Sequence, residues 1–433
     1  MRDGDTIVAL SSGAVPSGVA VIRLSGPSAG PLLVTMLGDL PPPRVLKLTD
    51  IALAGDVLDR GLAAWFPAPH SFTGEDCAEL QVHGSPAVVR ALLRALTAHK
   101  GVRLAEAGEF TRRAFESGKL DLAEVEGLGD LIEAETEGQR KQAVARLSGH
   151  LSAQITSWRE RLLDARAEIE AQLDFSDEGD VGELPKGFAQ SLTALGEEIE
   201  AAIGTVGRGR IVREGLRVAL AGPPNAGKSS LLNALAKSDV AIVTDEPGTT
   251  RDVREVAIDL GGQLAVLVDM AGLRDTESKA EAEGVRRAMT EIVQADLVLW
   301  LEAPDVPTVE LPEVGGRVLW RIATKADLRP RWSSPGDALS ARTGAGLDQF
   351  VKRLTDFAAT QTAGEPALLS RERDLAALQA AAGATREAQQ VLAQPELAAE
   401  ALRRAAHALE RLLGGMDADS VLDRLFSAFC IGK

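Results

Sequence analysis

The feature that most restricts the fold is GPPNAGKS at residues 222–229, a Gly-x-x-x-x-Gly-Lys-Ser loop. It follows an apolar, β-rich run over 216–221 and precedes a helical pattern over 229–237. A strand, a glycine loop and a helix in this order are typical of P-loop proteins, because the loop and the helix N-terminus direct backbone N–H groups at phosphates. Lys228 would reach the β- and γ-phosphate oxygens, and Ser229 would ligate Mg²⁺. The segment therefore predicts a nucleotide-binding α/β domain.

Short β-rich segments alternate with helical ones on both sides of this loop. The predicted strands are 216–221, 255–260, 263–269, 297–301 and 317–322. This alternation is typical of a doubly wound, mostly parallel sheet. Gly261-Gly262, between two of the strands, predicts a tight hairpin.

The sequence outside this α/β domain, 213–362, divides into two kinds. Residues 1–119 have short apolar runs broken by Gly and Pro, which predict an α+β domain. Residues 120–212 and 363–433 are rich in Ala, Leu, Glu and Arg, and their apolar spacing predicts helices. Because each helical stretch needs a partner for its apolar face, we expect the two to pack as one discontinuous helical domain. The predicted fold is multidomain, α/β and α+β.

Two further motifs point to a guanine nucleotide. DMAG at 269–272 ends a strand, where Asp269 can hold magnesium through water and the Gly272 N–H can contact the γ-phosphate. TKAD at 324–327 follows another strand. The Asp327 carboxylate can accept hydrogen bonds from N1–H and N2–H₂ of guanine, which adenine does not offer. These motifs predict selection of GTP over ATP.

Other positions extend the predicted site. DEPGTTRD at 245–252 lies where the first switch loop belongs, and Thr250 is the expected second magnesium ligand. Ser340-Ala341 fits the last guanine-contacting loop. Thr324 stands where most GTPases have Asn, so we expect a looser clamp with unchanged base specificity. Leu273 stands where Ras-like proteins have the Gln that orients water, so hydrolysis needs another source of charge and order.

The chain resembles the MnmE (TrmE) family of tRNA uridine-modification GTPases in four segments: GPPNAGKSS, IVTDEPGTTRD, DMAGLRD and the terminal CIGK. The likeness spans the whole chain and includes the order of the predicted domains. The chain departs from the family at Met270, where Thr is usual, and at Thr324. The resemblance implies that residues 1–119 form a folate-binding, dimerising domain similar to the one-carbon-transfer domain of the glycine cleavage system.

The resemblance also implies a potassium-activated GTP hydrolase that dimerises across its G domains. The implied K⁺ ligands are Asn225, Thr244, Glu246 and Thr249, and the implied Mg²⁺ ligands are Ser229 and Thr250. K⁺ would supply the charge that an arginine finger supplies elsewhere, which accounts for the missing Gln. Glu281 would order the attacking water through a bridging water. The implied catalytic groups are Asn225, Thr250, Glu281 and Cys430.

We expect GTP to contact the phosphate loop, both switches and both base-binding loops. The positions are Asn225, Ala226, Gly227, Lys228, Ser229, Ser230, Thr244, Asp245, Glu246, Pro247, Gly248, Thr249, Thr250, Asp269, Met270, Ala271, Gly272, Thr324, Lys325, Asp327, Ser340 and Ala341.

The contacts implied for 5-formyl-tetrahydrofolate fall on Arg23, Glu79, Lys119 and Lys433. A carboxylate suits the amide-like donors of a pterin, and cations suit the glutamate tail of folate. Cys430 belongs to the terminal motif, and two interpretations stay open for it. It is either inert filler or a participant in the modification chemistry, which would require a lowered thiol pKa.

The function implied is formation of a 5-carboxymethylaminomethyl or aminomethyl group on the wobble uridine of certain tRNAs. A homodimer would act in a heterotetramer with an FAD-dependent partner of the glucose-inhibited division A (GidA/MnmG) family, using a 5-formyl- or 5,10-methylene-tetrahydrofolate. The alternative is a GTP-switched ribosome-assembly factor resembling Era, but no basic Gly-x-x-Gly clamp follows the α/β domain. A non-enzymatic folate-binding or scaffold protein is a third, weaker alternative.

Charge and hydropathy bear on location and partners. No run of about 18 apolar residues occurs and the N-terminus is acidic, so we expect a cytoplasmic protein without membrane contact. The net charge is −16, yet residues 1–119 are neutral with 12 basic and 12 acidic side chains. Because phosphate binding depends on Lys and Arg, we expect the partner to supply most of the tRNA-binding charge.

Overall fold

The structure is a computed structural model of the 433-residue chain. It describes residues 4–53, 55–174, 184–242, 255–269, 292–309, 315–328, 336–415, 425–427, 429 and 432. The chain forms two compact units, Met1–Gly129 with Glu410–Lys433, and Asp130–Leu409. The predicted division into four segments stays a prediction. None of the described helices is long and apolar enough to span a bilayer.

The first unit is built on a six-stranded sheet. Its strands are β1 (Thr6–Leu10), β2 (Ser17–Ser25), β3 (Lys47–Leu53), β4 (Asp56–Phe66), β5 (Cys77–Gly84) and β6 (Val102–Leu104). Their order is β3-β4-β5-β2-β1-β6, and all neighbours are antiparallel except β1 and β6. The register places Arg23 of β2 directly opposite Glu79 of β5.

Side chains alternate between the two faces of this sheet. Ile22 and Leu24 face the core covered by α1 (Ala29–Leu37) and α2 (Pro86–Thr97). Ile7 and Ala9 face the opposite side and contact Phe110 of α3 (Glu109–Glu116). Since neighbouring strand residues point to opposite faces, Arg23 and Glu79 lie on the α3 side. α4 (Leu122–Glu133) follows.

The second unit contains helices on both sides of the α/β domain and within it. Those before it are α5 (Glu137–Leu147), α6 (His150–Asp174), α7 (Phe188–Ile203) and α8 (Val206–Glu214), and those within it are α9 (Lys228–Ala236) and α10 (Leu347–Thr362). Those after it are α11 (Glu372–Gln390) and α12 (Pro395–Leu413), whose last residues, from Glu410, belong to the first unit. The helical stretches before and after the α/β domain are in contact. Gln389 of α11 donates to the Leu192 carbonyl of α7, and buried Arg146 of α5 donates to the Leu368 carbonyl.

A second six-stranded sheet carries the phosphate loop. Its strands are β7 (Leu216–Ala221), β8 (Glu255–Asp259), β9 (Leu264–Asp269), β10 (Leu297–Glu302), β11 (Val318–Ala323) and β12 (Asp337–Ala338). Their order is β12-β11-β10-β7-β9-β8, and only the β8–β9 pair is antiparallel. The predicted mostly parallel sheet is confirmed. Gly261 and Gly262 join β8 to β9 with φ of 66° and 92°, as the hairpin prediction requires.

Both faces of the central strand β7 are buried, which explains why its residues from Val218 to Ala221 are all apolar. Val218 and Leu220 pack with Leu231 of α9 and Phe350 of α10. Ala219 and Ala221 belong to a second cluster with Val298 and Trp300 of β10. The helix α9 is therefore fixed against the sheet, and its N-terminus stands at the end of β7.

Candidate functional site

The phosphate loop between β7 and α9 has a backbone that few side chains tolerate. Gly222, Asn225 and Gly227 have φ of 134°, 62° and 91°. A Cβ atom on Gly222 would lie 2.4 Å from the Leu301 carbonyl oxygen, so this position requires Gly. Asn is among the non-glycine residues that adopt positive φ most readily. The exposed Asn225 side chain can thus stand on the loop beside the predicted phosphates.

Lys228, the first residue of α9, is only 6% exposed. Its Nζ donates to the carbonyl oxygens of Gly222 and Pro223, both at 2.8 Å. These bonds satisfy two of the three ammonium donors and hold the charge at the loop. Lys228 is therefore positioned to meet phosphate oxygens there.

The two predicted magnesium-related side chains meet in the structure. The Ser229 hydroxyl donates to Asp269 Oδ2 at 2.5 Å, and Asp269 is buried at the carboxyl end of β9. A hydroxyl and a carboxylate are oxygen donors of the type that Mg²⁺ prefers. The pair therefore fits the metal that the sequence predicts, with Ser229 as ligand and Asp269 behind it.

A cavity of about 330 Å³ lies beside the phosphate loop and at the carboxyl ends of β10, β11 and β12. It is lined by Gly227, Ser230, Leu231, Asp305, Thr324, Lys325, Asp327, Leu328, Leu339, Ser340, Ala341 and Arg342. Several predicted base-contacting residues therefore share one cavity. The lining residues that no sequence motif indicated are Leu231, Asp305, Leu328, Leu339 and Arg342.

Asp327 is held by two neighbours in this cavity. Its Oδ1 accepts from the Ser340 hydroxyl at 2.6 Å, and its Oδ2 pairs with Arg342 Nη2 at 2.8 Å. The pKa of Asp327 is lowered, chiefly because of the Ser340 hydrogen bond. Asp327 is therefore an ionised acceptor at neutral pH, as guanine recognition requires. No sequence motif indicated Arg342, because its role depends on a contact with Asp327, which lies 15 positions earlier in the chain.

Thr324 joins the base-binding loop to the phosphate loop. Its buried hydroxyl lies 2.5 Å from the Ala226 carbonyl oxygen and 2.9 Å from that of Glu302. One hydroxyl proton serves these two acceptors, whereas Asn would offer two amide protons. The expected looser clamp stays a prediction. Lys325, which follows with φ of 53°, pairs with Asp305 at 2.7 Å, and this bond lowers the pKa of Asp305.

The first unit pairs two of the predicted folate residues and places a third, Lys119, beside the loop that carries Phe72 and Gly74. Arg23 Nε and Nη2 both donate to Glu79 Oε1, at 3.0 and 2.9 Å. Among the residues that the structure describes, Glu79 Oε2 has no hydrogen-bond partner, so it can accept from a ligand. The Arg23 guanidinium carbon also lies 5.5 Å from the ring centroid of the partly exposed Phe72, a residue that no sequence motif indicated. A Cβ on Gly74, in the same loop, would lie 3.4 Å from Lys119 Cε.

Comparison with known proteins covers the whole chain. Residues 122–430 match the model for the MnmE helical domain, and residues 6–119 match the model for the N-terminus of the GTP-binding protein TrmE. A tRNA modification GTPase MnmE of Azorhizobium caulinodans is 49% identical over 438 residues, covering 100% of both chains. The tRNA modification GTPase MnmE of Rhodopseudomonas palustris is 48% identical over 439 residues, covering 99% of both chains. That of Rhizobium meliloti is 49% identical over 444 residues, covering 100% of both chains. The chain belongs to the MnmE family of tRNA modification GTPases.

Membership of the MnmE family confirms the resemblance drawn from the four sequence segments, and it confirms the predicted fold class and enzyme class. The individual site residues stay predictions. Those that lie outside the described residues are Thr244, Asp245, Glu246, Pro247, Gly248, Thr249, Thr250, Met270, Ala271, Gly272, Glu281, Cys430 and Lys433.

Proposed function

We propose that this MnmE-family chain is a potassium-activated GTPase that modifies the wobble uridine of certain tRNAs. With an FAD-dependent partner of the GidA/MnmG family, it would install a 5-carboxymethylaminomethyl or aminomethyl group in the cytoplasm. The observation that carries the proposal is the 49% identity, over the full length of both chains, to curated tRNA modification GTPases.

The modified nucleosides of bulk tRNA test this proposal. We expect cells that lack the protein to lose the 5-(aminomethyl)-type uridines, because the proposed reaction is the step that places the C5 substituent. Nucleoside analysis by liquid chromatography and mass spectrometry measures the loss, and re-expression of the intact chain serves as the control. A normal nucleoside profile in the deletion strain would favour the ribosome-assembly alternative.

In the proposed mechanism, the nucleotide is bound by the base-binding loops, the phosphate loop and both switches. Asp327 accepts from guanine N1–H and N2–H₂, and Lys228 faces the β- and γ-phosphates. Ser229 would hold Mg²⁺, with Thr250 as the second protein ligand, and the ion would neutralise charge on the phosphates. Glu281 would order the attacking water. GTP hydrolysis then opens and closes paired G domains as a conformational input to the tRNA chemistry.

The proposed potassium site depends on Asn225. Its side chain is exposed on the phosphate loop, where an amide oxygen can serve as a K⁺ ligand. Thr244, Glu246 and Thr249 are the other proposed ligands. The ion would supply positive charge beside the phosphates, in place of an arginine finger.

The proposed folate site uses the α3 side of the first sheet. Glu79 Oε2 can accept from a pterin, while Arg23, Lys119 and Lys433 offer positive charge to folate carboxylates. The tetrahydrofolate derivative would supply a one-carbon unit. Cys430, near Lys433, is the proposed participant in that chemistry from the terminal motif.

Folate binding gives a test that separates this proposal from a ribosome-assembly factor. We expect 5-formyl-tetrahydrofolate to bind, and E79Q to weaken it about 10- to 100-fold, because hydrogen bonds to a charged group contribute about 1.5–3 kcal/mol. Isothermal titration calorimetry measures the affinity. E106Q, which neutralises an exposed carboxylate of the same unit, is the control and should bind normally. Equal affinity in E79Q and the unmodified protein would remove Glu79 from the site.

The proposed homodimer has a surface in the first unit that suits it. The edge strand β3 and the residues just before it expose apolar side chains, namely Val45, Leu46 and Leu48. A contiguous exposed apolar patch is a mark of a protein contact surface. Because the chain is acidic overall, we propose that the FAD-dependent partner supplies most of the positive charge for tRNA.

A further inference from the structure

The two helices that cover one face of the first sheet carry no carboxylate, and one of them carries positive charge. α1 has no charged residue, and the only charged residues of α2 are Arg90 and Arg94. These arginines are exposed and four positions apart, so they share one side of the helix. Lys100, also exposed, follows in the turn after α2. We call Arg90, Arg94 and Lys100 the cationic strip.

The strip is unusual in a chain with this charge balance. The chain has 63 acidic and 47 basic side chains, yet residues 80–105 contain no Asp or Glu. Within the described part of the chain, the strip residues form no ion pair. Surface arginines of the second unit instead face carboxylates, in the pairs Arg140–Glu137, Arg161–Glu198, Arg386–Glu200, Arg403–Glu400 and Arg404–Glu387.

The strip stands on a rigid support. Val89, Leu92 and Leu96 of α2 pack into the sheet core, and the Ser85 side chain accepts from the Ala87 N–H to cap the helix. On one flank of the two arginines the side chains are small, at Ala87, Ala91, Ala95 and Ala98. An extended anion can therefore approach both guanidinium groups from that flank without displacing a bulky neighbour. Two arginines at this spacing repel each other on a helix, and an external anion relieves that repulsion.

We propose that the cationic strip binds the phosphate backbone of tRNA, an inference that rests on the proposed function. Nucleic-acid phosphates repeat along a surface, and Arg binds each through paired N–H groups. Contacts of this kind position the RNA and carry no base sequence information. The strip lies on the sheet face opposite Arg23 and Glu79, so tRNA and folate use different side chains. Three contacts on an acidic protein give weak binding that needs low salt.

The test compares tRNA binding by the full-length protein and by the triple variant R90Q/R94Q/K100Q. Each phosphate contact contributes about −0.7 to −0.9 to the slope of log K against log salt. We therefore expect the variant to bind tRNA at least about tenfold more weakly in about 50 mM salt, with a slope shallower by about 2. Fluorescence anisotropy with labelled tRNA transcripts, over a series of salt concentrations, measures both quantities.

A second triple variant controls for net charge. R161Q/R386Q/R403Q also removes three surface cations, but each of these faces a carboxylate. The proposal requires this control to bind tRNA like the unmodified protein. It is overturned by an equal loss in both variants, by no loss in the strip variant, or by no tRNA binding in the unmodified protein. If the strip variant keeps its tRNA binding and loses only its association with the FAD-dependent partner, the strip is a protein contact surface and the RNA assignment is wrong.

GTP hydrolysis by the same preparations separates this proposal from the proposed function. The strip lies outside the nucleotide site, so both triple variants should hydrolyse GTP at the unmodified rate. If the strip variant loses tRNA binding while deletion of the protein leaves tRNA nucleosides unchanged, the RNA contact stands and the uridine-modification proposal fails.

Discussion

Replacing Asp327 by Asn should move the nucleotide preference from GTP toward xanthosine triphosphate by about 10³-fold or more. The carboxylate accepts from two guanine donors, N1–H and N2–H₂. An amide offers one acceptor and one donor group, so it opposes the guanine amino group but matches a carbonyl at the C2 position of xanthine. Hydrogen bonds involving a charged group contribute about 1.5–3 kcal/mol each, which makes the exchange large.

Competition binding with a fluorescent GTP analogue measures this preference. D348N is the matched control, because Asp348 is an exposed carboxylate of α10 outside the cavity. It changes charge equally and should keep the preference for GTP. A D327N protein that still selects GTP would show that Asp327 does not recognise the base.

The lowered pKa of Asp327 also predicts how GTP binding depends on pH. The carboxylate accepts hydrogen bonds above that pKa, so the affinity for GTP should fall only as acid protonates the carboxylate.

Replacing K⁺ by Na⁺ should slow GTP hydrolysis by about 10²-fold, and N225G should lose most of this dependence. Removing one preorganised electrostatic group from a transition state typically costs 10²–10³ in rate. Gly is the informative substitution because it accepts the φ of 62° at this position, so only the amide is lost. Ala would combine loss of the amide with backbone strain.

Initial rates of phosphate release in KCl and NaCl, at equal ionic strength, measure the potassium effect. N233A removes an exposed amide from α9, away from the loop backbone, and should keep the full K⁺ response. Equal rates in both salts would refute the potassium proposal. If N225G responds to potassium as strongly as the unmodified protein, activation by K⁺ stands but Asn225 is not a ligand of the ion.

Local patterns were sufficient to predict most of the strands and helices around the phosphate loop. The glycine loop, the β7 segment before it and the helix after it agree with the structure to within a residue. The Gly261-Gly262 hairpin was also predictable, because Gly adopts positive φ without a steric penalty. The family could be identified because its motifs are short and contiguous. In these cases the physical constraint acts within a few positions of the chain.

Pairings between distant side chains could not be predicted from the sequence. Arg23 and Glu79 are 56 positions apart, and only the β2–β5 register makes one Glu79 oxygen accept both Arg23 bonds and leaves the other available. A register shift of one residue would turn these side chains to opposite faces of the sheet. Arg342 likewise meets Asp327 only through packing of the two loops at the ends of the strands.

The sequence by itself determined the nucleotide-binding loop, the order of the elements and the acidic balance of the chain. The tertiary structure alone decided which charges are neutralised. Arg90 and Arg94 look like ordinary helix cations in the sequence, as Arg161 and Arg386 do. Folding brings Glu198 to Arg161 and Glu200 to Arg386, and it leaves Arg90 and Arg94 facing outward. The reason is that a charge interacts with whatever lies within a few ångströms, and only packing sets that distance.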